Sequence, residues 1–153
     1  KEMLVGALIV GVARGVSVIM VEGNILDTFV FHIASLVDAL PEAFTAVGIL
    51  LTQTVFNVLV PSGSGQCLII LPILIPMADL VGLTRQVVVL ATHWGDGITN
   101  ILFPTSGYFV ATLAIGRVSF VTWLKFYWPF FWIVLATAII GVIVAQSIAL
   151  GPF

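Results

Sequence analysis

The sequence predicts an all-α integral membrane protein, in which transmembrane helices accompany one re-entrant helical hairpin and one discontinuous helix. Composition is the first observation behind this prediction. Of the 153 residues, 61% are hydrophobic and 8% charged, whereas about a quarter of an ordinary soluble domain is charged. The second is that long apolar runs recur over the whole chain, and about 20 such residues match the hydrocarbon thickness of a bilayer. These runs are continuous and lack the inward-polar, outward-apolar alternation of barrel strands, so helices are favoured. The third is a pair of uncharged polar stretches, V-P-S-G-S-G-Q at 60 to 66 and a longer one between Gly95 and Ser106, set inside apolar sequence.

Residues 1–23 contain the run L-V-G-A-L-I-V-G-V-A-R-G-V-S-V-I-M-V, expected to span the membrane. A charge at the bilayer centre costs about 2.5–3.5 kcal/mol on insertion scales, so Arg14 is expected to find an internal partner. No small-residue cleavage site follows the run, which argues against a signal peptide. The chain opens mid-pattern without an initiator Met, the expected look of a fragment or a processed product. In residues 24–40, Asn24, Asp27, Thr28, His32, Ser35 and Asp38 recur at steps of three and four. That stripe predicts an amphipathic helix lying in the interface, with Asp27, Asp38 and Glu42 as its wet face. Pro41 ends it.

Residues 41–83 are expected to form the hairpin. Its first arm is apolar apart from Glu42 and a polar set, Thr45, Thr52, Gln53, Thr54 and Asn57, that thickens towards the tip. Its second arm, C-L-I-I-L-P-I-L-I-P-M-A-D-L-V-G-L, carries Pro72 and Pro76 before Asp79. The arms are borderline in length for a full crossing, so length leaves open whether the hairpin crosses or turns back inside the membrane. Pro-Ser-Gly-Ser-Gly is also good turn chemistry, which leaves an extramembrane turn open as well.

Residues 84–116 run from R-Q-V-V-V-L-A-T-H-W through G-D-G-I-T-N-I-L-F-P-T-S-G to Y-F-V-A-T-L-A-I-G. Gly95, Gly97, Pro104 and Gly107 are expected to break this span near its centre. Residues 117–153 supply the C-terminal transmembrane helix, with Trp123, Tyr127, Trp128 and Trp132 expected as an interfacial belt. Lys1, Arg117 and Lys125 fall on one side and Arg85 on the other, which makes the first side cytoplasmic and opens the hairpin from outside.

Backbone that leaves the helix at membrane depth is tolerated only where protein or a water-filled cavity supplies partners. Two such breaks suggest a ligand site of the kind that broken helices build in secondary transporters. At the tip, Ser62, Gly63, Ser64 and Gly65 let backbone approach a ligand and offer donors without charge, and Asn57, Thr105 and Ser106 extend the candidate substrate contacts. At the second break, Asp96 is a carboxylate able to pair with a cation or carry a proton, and Thr99, Asn100 and Thr105 add the hard oxygen ligands an alkali cation prefers. Na⁺ or H⁺ is the expected coupling ion; no cofactor and no other metal is expected.

Other classes are disfavoured. Cys67 is the only cysteine, so neither an intrachain disulfide nor a Cys-based metal site can form. A net charge of −2 without a basic cluster gives nucleic acid nothing to bind. No HExxH motif is present, and His32 and His93 lie far apart without an obvious nucleophile between them, so no enzyme is expected. Nothing resembles a charged ring or a carbonyl filter, which argues against a channel. A non-transporting assembly or scaffold subunit, with breaks that are packing features, is the alternative.

The run N-V-L-V-P-S-G-S-G-Q, the arm P-I-L-I-P-M-A-D-L-V-G-L-T-R-Q and the segment G-D-G-I-T-N-I-L-F-P-T-S-G resemble the C-terminal half of the YfcC-like branch of the anaerobic dicarboxylate carrier (DcuC) family. The opening G-V-A-R-G-V-S-V and E-G-N-I-L-D-T are similar to it too, so the resemblance covers nearly the whole chain. It implies membership of the wider ion transporter superfamily, whose structurally known members are dimers with two inverted repeats; a full-length homodimer of a bacterial cytoplasmic (inner) membrane, working by an elevator-type mechanism, is then expected. Residues 42 to 83 would then be the second repeat's hairpin, 84 to 116 its broken helix and 24 to 40 the arm joining scaffold to transport domain. The tip departs from the Ser-Asn-Thr signature of the better-known dicarboxylate symporters, which leaves small organic anions and amino acids both open as substrates.

Overall fold

The computed structural model describes residues 40–151 and, before them, Leu8, Gly11, Gly15, Val18, Ile19, residues 22–25, Thr28, Phe31, His32 and Ser35. The expected first span and interfacial helix, with Arg14, Asp27 and Asp38, fall largely outside the described residues, as does the Glu42 side chain. The structure is all-helical from Pro41 onwards: α1 (Glu42–Phe56), α2 (Gly63–Leu80), α3 (Arg85–Thr99), α4 (Gly107–Ile115) and α5 (Phe120–Ser147). α2 and α5 are long and apolar enough to cross a membrane.

α1 and α2 are joined by a short turn, and each packs on α3. α1 ends at Asn57, and the next turn is closed by Leu59 N–H donating to Phe56 O at 2.9 Å and Val60 N–H to the same oxygen at 3.1 Å. Pro61 has no N–H and disfavours helical geometry in the residue before it, so the chain turns there. Ser62 is extended and caps α2, its Oγ accepting from Gly65 N–H at 3.4 Å. Along α2, Gln66, Ile70, Leu74 and Ala78 are buried at steps of four, while Leu68, Pro72 and Pro76 are exposed on another face. The carbonyls that the prolines leave unbonded therefore lie away from the core.

α3 is the central element, packed against α1, α2 and α5. Its inward face, Val87, Val88, Ala91, Thr92, Gly95, Asp96, Ile98 and Thr99, turns from apolar to polar along its length. The helix runs unbroken through Gly95 and Gly97, and unwinding starts only at Asn100. This corrects the expected break. Glycine costs a helix only about 1 kcal/mol relative to alanine, and at Gly95 its missing side chain has another use. A Cβ there would stand 2.6 Å from Leu50 O and 2.7 Å from Gln53 Cβ, so Gly95 is where the α1 and α3 backbones approach, as small residues permit in membrane helix pairs. The break is confined to 100–106 and contains Pro104, which cannot donate to a helix.

α5 presents Tyr127, Phe131, Leu135, Ala138, Val142 and Ala145 inward at helical spacing. Two of the expected belt aromatics turn inward as well. Tyr127 OH donates to Ile98 O at 3.0 Å and Trp123 Nε1 to Ile101 O at 2.8 Å, whereas Trp128 and Trp132 are exposed. The break frees carbonyls that need donors away from water, and these two rings supply them.

The ends of the elements sort into two groups. Thr84 Oγ1 donates to Leu150 O at 2.6 Å, which brings the start of α3 to the end of α5. Asp79, near the end of α2, pairs with Arg85 at 2.9 Å. The end of α2, the start of α3 and the end of α5 therefore share one end of the bundle, and the tip and the break lie away from it.

Candidate functional site

The last turn of α1, the first turn of α2 and the last turn of α3 meet at Asp96. Its side chain is 7% exposed. Asp96 Oδ2 accepts from Asn100 Nδ2 at 3.0 Å, and Oδ1 is buried without a hydrogen-bond partner. A Cβ built on Gly63 would lie 2.7 Å from Asp96 Oδ2. Only glycine lets the carboxylate stand this close to the opening residue of α2. By helix geometry the first N–H groups of α2 have no intrahelical acceptor and carry partial positive charge, so the carboxylate sits where a helix favours an anion.

Asn57 ties the arrangement together. Its Nδ2 donates to Thr99 Oγ1 at 2.8 Å, Asp96 O at 3.1 Å and Asn100 Oδ1 at 3.2 Å, all on the end of α3. Those contacts use the donor capacity of its amide. What remains is Oδ1, buried and unpartnered like that of Asp96. Thr99 Oγ1 also donates to Gly95 O at 2.8 Å and lies within 3.2 Å of Asp96 O, so its proton is engaged within α3.

The structure thus brings together Asn57, Gly63, Asp96, Thr99 and Asn100 among the residues singled out in the sequence. Ser62 lies beside them with its hydroxyl turned to its own helix cap, and Ser64 is exposed. Gly65 donates its N–H to that cap. Thr105 and Ser106 stand in the break with buried hydroxyls that bond to nothing in this cluster. Sequence reasoning missed Gln53 and Gln66, both fully buried. Gln66 Nε2 donates to Gln53 Oε1 at 2.7 Å and to Gln53 O at 3.2 Å. The four-residue step from Gln53 to Asn57, which puts both on one face of a helix, was the available signal.

No Lys or Arg among the described residues belongs to this cluster. Among the described residues the one ion pair is Asp79–Arg85 at the far end of α2, and it is exposed. His93 lies one turn before Asp96 on the exposed side of α3. No group of three or more metal-ligating side chains of the His, Cys, Asp and Glu type occurs among the described residues. A groove of about 250 Å³ between α3 and α5, lined by Trp94, Ile98, Val134, Thr137 and Ala138, is apolar and separate from the cluster.

What the cluster offers chemically is a buried carboxylate, two unpartnered side-chain oxygens and the N-terminus of a helix. Comparison with known proteins places the chain. The family described as C4-dicarboxylate anaerobic carrier (DcuC) matches residues 1–147. The chain is 43% identical over 130 residues to an Escherichia coli (strain K12) protein with the provisional name basic amino acid antiporter YfcC, a match covering 82% of this chain and 26% of that protein. It is 35% identical over 129 residues to an uncharacterised protein of Haemophilus influenzae (strain ATCC 51907 / DSM 11121 / KW20 / Rd), covering 84% of this chain and 25% of that one. The chain spans about a quarter of the length of the curated relatives it matches. No solved structure matches it. With a family match over nearly its whole length and a helical, apolar fold to go with it, the chain belongs to the C4-dicarboxylate anaerobic carrier (DcuC) family of membrane transport proteins.

Proposed function

We propose that this chain supplies one repeat of a secondary active carrier of the cytoplasmic membrane, which couples cation movement to the carriage of small organic anions or amino acids. The observation that carries the reading is Asp96, a buried carboxylate with no Lys or Arg partner among the described residues, at the meeting point of two helix ends. An ionisable group at membrane depth is expensive and is by default a functional candidate. The N-terminus of α2 offsets only about half a charge. A proton, an alkali cation or a cationic substrate group supplies the rest.

On this reading the hairpin turns back inside the membrane. α1 is about 22 Å long, short of the roughly 30 Å core, and the tip that follows it abuts α3 one turn before its break. Asp96 Oδ1 and Asn57 Oδ1, with Thr99, Asn100 and Thr105 nearby in sequence, provide oxygen to the cation. The free N–H groups of α2, with Ser62, Gly63, Ser64 and Gly65, receive a carboxylate, the group that dicarboxylates and amino acids share. Thr105 and Ser106 complete the substrate contacts from the break. The family description points to dicarboxylates and the name of the E. coli relative to basic amino acids. A homodimer working by elevator-type movement agrees with the superfamily resemblance.

A second reading has support in the side-chain bonds: Ser62 and Asn57 both spend their polar groups inside the fold, as packing features of a scaffold subunit would. One experiment separates the two. Uptake of labelled dicarboxylates and basic amino acids into proteoliposomes of the full-length protein is measured with and without Na⁺ and across pH, for the wild type and Asp96→Asn. The carrier reading expects the variant to lose uptake or its ion dependence. Wild-type ion dependence in the variant would sink the assignment, and absence of any uptake by the wild type would favour the scaffold.

A further inference from the structure

The Gln53–Gln66 pair has no part in the reading above, although both side chains are fully buried in an apolar hairpin. Burying an amide in such surroundings is costly unless it is bonded, and two apolar side chains would fill the same space. A buried polar pair that bridges two helices has one well-attested use, which is to fix register. Here the geometry is asymmetric. Gln66 Nε2 donates both of its bonds to residue 53, one to the side chain and one to the backbone. The same backbone oxygen of Gln53 accepts Asn57 N–H at 3.0 Å. Gln53 Cβ in turn rests over Gly95, and Asn57 holds the end of α3.

A continuous polar chain therefore runs from the first turns of α2, through the end of α1, to Asp96. We propose that Gln66 is a positioning residue that locks the register of α2 on α1, so that Gly63 meets the Asp96 carboxylate and the unpartnered Oδ1 is held at the tip. A slip of α2 by one residue would move it by about 1.5 Å and rotate Gly63 away by about 100°. Gln66 touches neither ion nor substrate in this scheme. Its consequence for ion affinity rests on the carrier reading; the lock itself does not.

The test compares Gln66→Met with Gln53→Met in the full-length protein. Both remove one amide at nearly constant volume. Gln66→Met removes both bonds, while Gln53→Met leaves the backbone acceptor in place; each also removes one buried amide atom that bonds to nothing, Gln66 Oε1 or Gln53 Nε2. Hydrogen exchange by mass spectrometry over residues 58 to 70 is expected to accelerate at least 10-fold in Gln66→Met and under 3-fold in Gln53→Met. In proteoliposomes the cation concentration for half-maximal uptake is expected to rise about 10-fold in Gln66→Met with maximal rate within 2-fold of wild type, and to stay within 3-fold in Gln53→Met. If Gln66→Met does not fold, Gln66→Asn, which keeps the amide but is one methylene short, is expected to shift both readouts the same way by a smaller factor. Equal effects in the two positions, or no effect at Gln66, overturn the lock. An exchange asymmetry in a protein whose uptake ignores cations supports the lock and removes the carrier reading instead.

Discussion

The two glycines that flank Asp96 are expected to respond in opposite ways to alanine. At Gly95 the new Cβ would lie 2.6 Å from Leu50 O, 2.7 Å from Gln53 Cβ and 3.1 Å from Thr54 N. Two of these three are backbone atoms, so no rotamer change relieves the contact. Restoring ordinary separations, about 3.5 Å for carbon atoms, requires α1 to withdraw from α3 by nearly 1 Å. Overpacking of this kind costs about 1–3 kcal/mol or more, against about 1 kcal/mol gained from alanine's helix propensity. Nothing lies within 4 Å of a Cβ at Gly97, and the residue is helical. There the propensity gain stands alone, so Gly97→Ala is expected to stabilise by up to about 1 kcal/mol. Thermal unfolding of the purified protein in detergent, followed by size-exclusion of what remains soluble, gives the order Gly97→Ala, wild type, Gly95→Ala. Destabilisation by Gly97→Ala would refute the reasoning, because it is the result expected if the chain unwinds at Gly95 to Gly97.

Two further substitutions test the elements that hold the break and the end of the bundle. Tyr127→Phe removes the hydroxyl that satisfies Ile98 O; a buried carbonyl left unpaired costs about 1–3 kcal/mol, read as a lowered melting temperature, and an unchanged value would mean that the carbonyl has another donor. Ala149 has a φ of 46° at the end of α5, a left-handed conformation costing a non-glycine residue about 1–2 kcal/mol. Ala149→Gly relieves this at a smaller entropic cost, so the melting temperature is expected to rise, and a fall would count against the helix end described for α5.

The apolar runs of α2 and α5 were legible because length and continuity suffice to mark a helix that lipid can surround. The polar tip was legible as a feature, although not in its use. Ser62 reads equally well as ligand contact, turn residue or helix cap, and only the positions of Gly65 and α2 decide that its hydroxyl caps. The Gly-Asp-Gly segment misled for a similar reason. A glycine marks either a place where the backbone bends or one where another backbone comes close, and the difference lies in α1, some 40 residues away in sequence. Trp123 and Tyr127 look like belt aromatics from composition, since nothing in their own neighbourhood shows that carbonyls of the break lie within reach. Gln53 and Gln66 are two polar residues among several in the hairpin until folding pairs them.

Charge balance at Asp96 makes ion dependence informative about substrate class. Among the described residues the cluster offers one carboxylate, the partial positive end of α2 and no Lys or Arg. With the carboxylate ionised, its net charge is negative by about half a unit. On the proposed reading a dicarboxylate would approach a site that repels it until a proton or a metal cation has bound at Asp96 Oδ1, so cation binding must precede the anion. A basic amino acid brings its own positive charge and can offset the carboxylate directly, with its α-carboxylate on the N–H groups of α2. The first case demands uptake that vanishes without the coupling ion. The second allows exchange of one amino acid for another with no ion gradient, which is what an antiporter does. The tip reads Ser-Gly-Ser-Gly, with no charge to add to either side, and the ion dependence of uptake therefore bears on which substrate class the protein carries.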